Sequence, residues 1–316
     1  MTKIESETFV TLFDENYIAQ GLALYSSLIS NDFKFTLYIL CLDKKTYEVL
    51  KKQNKRNIKL LKLEDFENDA LKEKKLNRTK AEYCWTLTSW SIQWCLELDP
   101  KINRVTYLDA DLYFLKTPIS IFNELDKSMK KVLITKHSYS PEYDQSFTSG
   151  IYCVQFLTIT RGLGEKVLHE WRDKCMDWCY AYHEDGKYGD QKYLDSWPLN
   201  YPDIVKVYEN ESGAQAPWNA TRFPYSDAIF YHFHGFKIIS RNKFFLSTYL
   251  IPKPTYLYVY KPYIKTIKEI LVELLQYGFK VKNGDFIMRK LNLIVELKNK
   301  LRNILRKYLI PTIYSD

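Results

Sequence analysis

The amino-acid sequence predicts an α/β protein built on a doubly wound sheet. Apolar segments rich in β-branched and aromatic residues alternate with helical patterns over the first part of the chain. This β-α-β-α-β order is typical of the start of a doubly wound sheet, whose ligands bind beyond the carboxyl ends of the strands. At 316 residues, the chain is long enough to bury one large core, or one core and a smaller appendage.

Each predicted strand is a short apolar run, and each predicted helix has apolar residues at helical spacing. Asp14, Glu15 and Asn16 open the first helix, and Asp99 with Pro100 ends the tryptophan-rich third helix. Besides the strand that begins at Arg104, strands are predicted at residues 7–13, 35–42, 58–63, 131–135, 150–160, 204–207 and 228–233. The helices are predicted at residues 17–29, 46–55, 80–98, 118–125, 163–181, 192–196, 264–275 and 286–309.

The composition is that of an ordinary globular protein, with 46% hydrophobic and 27% charged residues. Aromatic residues reach 16%, and their rings serve either as platforms for sugars and bases or, more commonly, in core packing. No secretory segment is recognised, and no run approaches the ~18–20 apolar residues that span a bilayer. We therefore expect a cytoplasmic protein.

The six cysteines are scattered and lie mostly in apolar segments, which predicts reduced thiols in a reducing compartment. Cys175 and Cys179 are one helical turn apart and flanked by His169 and His183, which raises the alternative of a zinc site. No C-x-x-C pair is present there, so a helix packing face is the favoured interpretation.

Two carboxylates stand at the end of a central apolar strand. Asp109 and Asp111 follow the segment that starts at Arg104, and in extended backbone they would share one side, with Ala110 facing away. Two like charges at such a position resist ionisation unless a cation lies between them, and hard oxygen ligands suit Mg²⁺ or Mn²⁺. A loop that carries two aspartates by chance is the alternative.

Two histidines end a later strand in the same way. His232 and His234 precede Gly235 and Lys237, and in extended backbone their side chains would share a side. The chain has only 10 glycines and neither a G-x-G-x-x-G nor a Walker lysine motif. In a chain without such a glycine-rich loop, the charge of any bound phosphate must be neutralised by a metal ion and by side chains.

Four sequence segments in order resemble the GT-A-fold glycosyltransferases of family 8, which are glycogenin-like and lipopolysaccharide galactosyltransferase-like enzymes. The similarity extends over roughly residues 8–240 and is strongest to bacterial members in surface-polysaccharide gene clusters. The matching segments are Val10-Thr11-Leu12 with Tyr17, Gly21 and Ser26-Ser27-Leu28; Leu108-Asp109-Ala110-Asp111; Ser149-Gly150-Ile151 with Gly189-Asp190-Gln191; and His232-Phe233-His234-Gly235.

This resemblance implies a GT-A, Rossmann-like mixed central sheet and a metal-dependent transfer of sugar from a nucleotide-diphosphate sugar, with UDP as the expected nucleotide and retention of configuration. Asp190 and Gln191 would face the donor sugar as catalytic residues. The implied metal ligands are Asp109, Asp111 and His232 or His234, for Mn²⁺ or Mg²⁺. The implied nucleotide-binding residues are Thr11, Leu12, Phe13, Tyr17, Asp109, Ala110, Asp111 and Lys237.

The chain departs from the family pattern near its basic residues. The family lysine stands three residues after the glycine, whereas Lys237 stands two after Gly235, and Arg241 is its rival. Arg78 or Lys80 could supply another phosphate contact. Asp190 has a second interpretation as a helix cap after Gly189.

Two other classes of function compete with this interpretation. A nucleotidyltransferase that forms sugar nucleotides would need a basic, glycine-rich loop after the first strand, but here that loop is Phe13-Asp14-Glu15-Asn16. A non-catalytic nucleotide- or glycan-binding protein would not need the two aspartates and the histidine together. The expected partners are a nucleotide sugar and a glycan or lipid-linked acceptor, and no nucleic acid.

The net charge of +8 is concentrated at the C-terminus. We divide the chain into a catalytic domain, residues 1–262, and a basic amphipathic extension, residues 263–316. Within the extension, residues 279–310 are expected to contact an anionic membrane surface on the inner face of the cytoplasmic membrane, where each basic residue contributes ~1 kcal/mol. Docking on the body of the protein or on a second copy, as in a homo-oligomer, is the alternative.

Overall fold

The computed structural model describes residues 6–281 and 313–315. The helices are α1 (Ile18–Ser30), α2 (Lys44–Gln53), α3 (Asp69–Asn77), α4 (Lys80–Leu98), α5 (Ile119–Ser128), α6 (Ser146–Ser149), α7 (Leu163–Asp177), α8 (Trp197–Asn200), α9 (Lys253–Thr255) and α10 (Lys261–Leu275). The strands are β1 (Glu7–Phe13), β2 (Phe35–Cys41), β3 (Ile58–Lys62), β4 (Arg104–Leu108), β5 (Leu112–Phe114), β6 (Val132–Lys136), β7 (Tyr152–Thr160), β8 (Val205–Val207), β9 (Ala214–Gln215), β10 (Phe230–His232), β11 (Lys237–Ser240), β12 (Lys243–Phe245) and β13 (Ile313–Ser315).

Seven strands form the central sheet, in the order β3-β2-β1-β4-β7-β6-β8. The pairs among β3, β2, β1 and β4 are parallel, whereas β7 runs antiparallel to both β4 and β6. The sheet is therefore mixed, which confirms the predicted fold class. The carboxyl ends of β1 and β4 lie side by side, because these two strands are parallel neighbours.

Both faces of this sheet are covered, as in a doubly wound fold. Phe9 of β1 packs into a core shared with α1 and α10, while Val10 packs into a second core shared with α4 and α7. Successive side chains of a strand point to opposite faces, so this near-continuous apolar strand supplies both cores.

Two small sheets complete the described part of the chain. One has the order β5-β10-β9, with β10 antiparallel to β5 and parallel to β9. The other has the order β11-β12-β13. The first of them matters most, because it draws the segment after β4 towards the segment that ends in His232.

The predicted amphipathic helix near residue 264 is present as α10. Ile264, Ile267 and Leu271 are buried in the same core as α1, so the apolar face of this helix docks on the body of the protein. The second predicted helix, residues 286–309, and most of the basic segment 279–310 lie outside the described residues. Within the described part, no helix combines the length and apolarity required to cross a membrane.

One predicted helix is too long. The helix expected at 163–181 ends at Asp177, and Trp178 is already extended, with φ −146° and ψ 123°. The Arg78 guanidinium donates to the carbonyl oxygens of Cys175 and Met176, at 2.8 Å in each case. These bonds satisfy carbonyl groups of the last helical turn, which lets the chain leave the helix there.

Candidate active site

Two carboxylates and one imidazole converge at the carboxyl end of β4. One ligand atom each from Asp109, Asp111 and His232 lies within 4.8 Å of the others. The Nε2 atom of His232 is 3.1 Å from Oδ1 of Asp111 and 3.6 Å from Oδ2 of Asp109. Among the described residues, this is the group of His, Cys, Asp and Glu side chains with the geometry to hold a metal ion. Carboxylate oxygens with one imidazole fit Mn²⁺ or Mg²⁺.

The backbone between the two aspartates is a turn, and not the extended strand that we expected. β4 ends at Leu108, the amide of Leu112 donates to the carbonyl of Asp109 at 3.1 Å, and β5 then joins a different sheet. The turn is required because the chain must leave the central sheet to pair with β10. The two carboxylates still meet, but through this turn and not through strand alternation.

Backbone pairing places His232 opposite the turn. His232 pairs with Leu112 in the antiparallel β5–β10 ladder, and the amide of Phe233 donates to the carbonyl of Asp111 at 2.9 Å. On the other side, the amide of Asp109 donates to the carbonyl of Gln155 in β7, at 3.0 Å. Backbone hydrogen bonds to β7 and to the residue after β10 therefore hold the turn with the two aspartates opposite His232.

Neighbouring polar groups orient the side chains of this candidate metal site. Nδ1 of His232 is 2.8 Å from Oε1 of Gln155, which leaves Nε2 to face the aspartates. The hydroxyl of Tyr107 donates to Oδ1 of Asp109 at 3.0 Å. Such hydrogen bonds behind the ligands set the tautomer and the orientation of a metal-binding imidazole.

Burial and mutual charge shift the pKa values of Asp109, Asp111 and His232. Burial raises the pKa of Asp109 to about 6, against the opposing pull of His232. Burial also disfavours the charged form of Asp111, but the charge and hydrogen bond of His232 outweigh it and lower the pKa to about 2. For His232, burial is outweighed by Asp111, which raises the pKa well above its usual value. The cluster thus needs positive charge, and a divalent cation would supply it.

Asp190 and Gln191 lie in the same cavity. Asp190 is buried, and its Oδ2 atom has no hydrogen-bond partner, while burial and the charge of Asp109 raise its pKa to about 7. The amide of Gln191 donates to the carbonyl of Ser149 at 2.8 Å. Gly189 has φ +52°, and a Cβ atom there would lie 3.3 Å from the Trp85 ring, so glycine suits the turn that presents Asp190.

The cavity has a volume of about 610 Å³ and contains most of the predicted residues. Leu12, Phe13 and Tyr17 line it beside Ala110, whereas Thr11 is completely buried. Lys237 lies beside Tyr17: its ammonium donates to the Tyr17 hydroxyl at 3.1 Å and lies 5.4 Å from the ring centre.

His234 is not in the extended arrangement that we expected. It follows the end of β10 in a turn, is exposed, and lines the cavity with its ring 5.6 Å from that of His232. His232 and His234 do not share a side as residues of one strand, because the chain turns at Gly235, where φ is +78°.

The rival basic residues have separate surroundings. Lys80 lines the cavity and forms an ion pair with Asp14. Arg78 is buried and binds the end of α7, and Arg241 is exposed in the turn between β11 and β12. Cys175 and Cys179 are both buried in the core, as expected for packing residues, but Cys179 lies beyond the end of α7 and does not share a helix face with Cys175.

Several residues that line the cavity or support its walls were not found by sequence reasoning. Gln155 was missed because it lies within a long apolar strand, where a lone polar residue gives no motif. Trp218 was missed because it belongs to an irregular segment, yet its ring lies 5.4 Å from those of both His232 and His234. The other cavity-lining residues that were missed include Cys84, Trp85, Thr88, Tyr107, His137, Tyr139, Tyr188 and Tyr249.

Comparison with solved structures shows the class of fold. The chain matches the bifunctional glycosyltransferase WbbM with a TM-score of 0.53 and 11% identity, over 89% of this chain and 53% of that chain. It matches the apo form of the glycosyltransferase GlyE of Streptococcus pneumoniae TIGR4 with a TM-score of 0.52 and 14% identity, over 89% of this chain and 66% of that chain. The chain thus has the GT-A fold and spans about half the length of WbbM.

Comparison with known sequences shows the family. The chain is 30% identical over 255 residues to the uncharacterized protein YfnF of Bacillus subtilis, covering 75% of this chain and 84% of YfnF. It is 28% identical over 287 residues to the uncharacterized protein YfnD of the same organism, covering 84% of this chain and 90% of YfnD. The chain belongs to the family of YfnF. No protein-family model matches it.

Proposed function

We propose that this protein is a metal-dependent glycosyltransferase that uses a nucleotide-diphosphate sugar, with UDP as the nucleotide. The observation that carries the proposal is the convergence of Asp109, Asp111 and His232 within 4.8 Å, in one cavity with the buried Asp190. The GT-A fold supports it, and so does the resemblance to family 8.

The three ligands would hold Mn²⁺ or Mg²⁺. The raised pKa of Asp109 is consistent with a site that is completed by a cation. When bound, the cation stabilises the negative charge that develops on the leaving diphosphate. Gln155 and Tyr107 would keep the ligands in position.

The nucleotide is assigned to the side of the cavity next to β1. Tyr17 is available to stack on the base, and Leu12 and Phe13 add apolar contact. Ala110 has a small side chain, which allows the diphosphate to approach the turn between the two aspartates. Lys237, beside Tyr17, would add positive charge near the diphosphate.

Asp190 and Gln191 are assigned to the donor sugar. During transfer, the bond from the anomeric carbon to the diphosphate breaks with its electron pair going to the diphosphate, and the acceptor hydroxyl forms the new bond and loses its proton. We propose retention of configuration. In a double displacement Asp190 would be the nucleophile; in a same-face reaction Gln191 would steady the sugar and the leaving phosphate would take the proton.

The acceptor is proposed to be a glycan or a lipid-linked sugar in surface polysaccharide or lipopolysaccharide synthesis. We also propose the division into residues 1–262 and 263–316, with the basic segment 279–310 at the inner face of the cytoplasmic membrane. Deletion of 279–316 should then reduce recovery of the protein in membrane pellets at low salt, because the attraction to anionic lipids is electrostatic. Equal recovery of both forms would contradict the membrane assignment.

Two other functions are less well supported. In a nucleotidyltransferase, the loop after β1 would bind triphosphate, yet here Asp14 accepts from the Asn16 amide at 2.9 Å and binds Lys80, so the loop is acidic and its charge is paired. A non-catalytic binding protein would have no need of a buried carboxylate beside the metal ligands, because an unpaired buried acid destabilises the fold.

The test is release of UDP from a panel of UDP-sugars by the purified full chain with Mn²⁺ and without acceptor. We expect slow, metal-dependent hydrolysis of one donor, and its loss in Asp109→Asn and Asp111→Asn. Asp203→Asn, an exposed carboxylate on another part of the surface, is the matched control. Formation of UDP-sugar from UTP and sugar phosphate would instead indicate a nucleotidyltransferase, and neither activity would indicate a binding protein.

A further inference from the structure

A group of aromatic side chains lies next to the cavity and is not used by the proposed reaction. We call it the aromatic lip: Phe147, Trp178, Tyr180, Tyr182 and His183. Phe147 is 80% exposed and Tyr182 is 51% exposed. Exposed apolar side chains that are contiguous on the surface of a folded protein mark interaction sites, unlike single exposed ones.

The rings of the lip contact one another. Tyr180 stacks on Tyr182 with ring centres 5.6 Å apart, and Trp178 meets both rings edge-on, at 5.4 and 5.5 Å. On the other side, Phe147 lies 5.5 Å from His183. The lip therefore joins two segments of the chain, one that starts α6 and one that follows α7.

A tight hairpin holds the lip in place. Glu184 and Lys187 exchange two backbone hydrogen bonds, and the Asp185-Gly186 pair between them has φ values of +48° and +73°, as in a type I′ turn. The Trp178 indole donates to the Glu184 carboxylate at 2.8 Å, and the Lys187 ammonium lies 5.3 Å from the Trp178 ring centre. A surface that is ordered before binding loses less conformational entropy when a ligand arrives.

The lip is continuous with the site. The amide of Gly189 donates to the carbonyl of Tyr180 at 2.9 Å, directly before Asp190. Tyr188, from the same segment, lines the cavity, and so does Ser149, which is two residues after Phe147. A ligand that extends out of the cavity on this side would meet the lip next.

We propose that the aromatic lip binds the acceptor beyond the reacting sugar, so that the acceptor is a neutral saccharide of two or more units. This inference rests on the proposed function. A pyranose ring presents C–H groups on its faces and hydroxyls at its edges, and so needs aromatic faces with polar groups between them. The lip has both, since Phe147 and Tyr182 supply exposed rings, while His183, Glu184 and Asp185 supply exposed polar groups.

Other ligands fit this surface less well. Arg78 and Lys187 each lie over one ring, Tyr180 and Trp178 respectively, so charged groups interrupt the aromatic surface. An acyl or polyprenyl chain would gain most from a continuous apolar surface. An anionic ligand would meet the carboxylates of Glu184 and Asp185 at the tip of the hairpin. A neutral saccharide is compatible with all of these features.

The test measures saccharide binding directly, by saturation-transfer NMR on the full chain. The ligands are lactose, maltose, maltotriose and diacetylchitobiose, and each is compared with the methyl glycoside of its monosaccharide unit. We expect at least one oligosaccharide to bind more tightly than its monosaccharide. In Tyr182→Ser and Phe147→Ser that affinity should fall on the order of tenfold, the usual loss when one stacked ring is removed. The matched controls are Tyr258→Ser and Leu199→Ser, which replace side chains that are 59% and 85% exposed elsewhere.

The outcomes separate this inference from the proposed function. No binding of any oligosaccharide, or equal binding by the lip variants and the wild type, would overturn the inference. The lip would be reassigned to a membrane if the variants bound phosphatidylglycerol vesicles more weakly than the wild type but kept its saccharide affinity. Failure of the wild type to release UDP from any donor would overturn the proposed function instead, whatever the saccharide data show.

Discussion

The imidazole of His232 lies 3.1 Å from the carboxylate of Asp111, although the two residues belong to distant parts of the sequence. The contact follows from the antiparallel pairing of β5 with β10. In the absence of metal the contact is an ion pair. Asp111 raises the pKa of His232 well above its usual value, and His232 in turn lowers the pKa of Asp111 to about 2. A divalent cation would replace the proton of the imidazole and use the same carboxylates.

Metal binding should therefore stabilise the folded protein. We expect Mn²⁺ to raise the melting temperature of the wild type by several degrees, since a ligand at a hundredfold excess over its Kd contributes about 2.7 kcal/mol. Asp109→Asn and Asp111→Asn should lose most of this shift, as measured by differential scanning fluorimetry with EDTA as reference. Asp203→Asn should keep it. An unchanged shift in Asp111→Asn would place the metal elsewhere.

Gln155 should control metal affinity without touching the metal. Its Oε1 atom is 2.8 Å from Nδ1 of His232, so Gln155→Leu would leave the ring free to turn and expose an unpaired buried nitrogen. We expect Mn²⁺ affinity to fall about 10–100-fold, measured by calorimetry or electron paramagnetic resonance. Gln155→Glu keeps an acceptor at this position and should restore most of the affinity. Equal affinities in both variants would argue against this orienting role.

Tyr17 and Lys237 should act on different parts of the nucleotide. Tyr17→Ala should weaken binding of both UDP and uridine, because loss of a stacked ring costs about 1–3 kcal/mol. Lys237→Met should weaken the binding of UDP more than the binding of uridine, because only UDP carries the diphosphate. Calorimetric titration with both ligands checks this. Tyr17→Phe, which loses only the hydroxyl that accepts from Lys237, should keep most of its uridine affinity.

Glu82 should make the free energy of unfolding depend on pH in the acid range. Burial favours its neutral form, but hydrogen bonds from the amide of Ala181 and from Thr79 outweigh this and lower its pKa. The folded state thus binds fewer protons than the unfolded state, so the contribution of Glu82 is complete above the unfolded pKa of about 4.3 and is lost as pH falls through the lower folded value.

In Glu82→Gln this part of the acid dependence should vanish. The measurement is urea unfolding of wild type and variant between pH 3 and pH 7, with the surface substitution Glu64→Gln as control. Identical slopes of stability against pH for wild type and Glu82→Gln would contradict the role of this carboxylate. The contact matters for the site, because Glu82 in α4 binds the segment that carries the aromatic lip.

Sequence patterns predicted the strongest local features correctly. They include β1, α4 and the pair of aspartates. Apolar periodicity and a pair of carboxylates can both be recognised within about twenty residues of sequence. His232 was proposed as the third metal ligand from the family resemblance, and the structure places it within reach of both carboxylates. The cavity likewise brings Asp190 and Gln191 next to the same group.

Features that depend on long-range pairing were missed or misjudged. The turn between Asp109 and Asp111 was expected to be extended, because nothing in the local pattern shows that β5 leaves the central sheet. Gln155 was not singled out, since its importance comes only from the strand on which His232 lies. The aromatic lip was overlooked for a similar reason: its rings come from two segments that the fold brings together.

The sequence by itself determined the kinds of elements, the identity of the side chains proposed as metal ligands and the absence of a glycine-rich phosphate loop, because these depend on residue type and short-range periodicity. Only the tertiary structure decided which imidazole faces the carboxylates, which amide orients it and where the aromatic rings lie. These relations are set by backbone pairing between strands that are far apart along the chain, and no local pattern encodes that pairing.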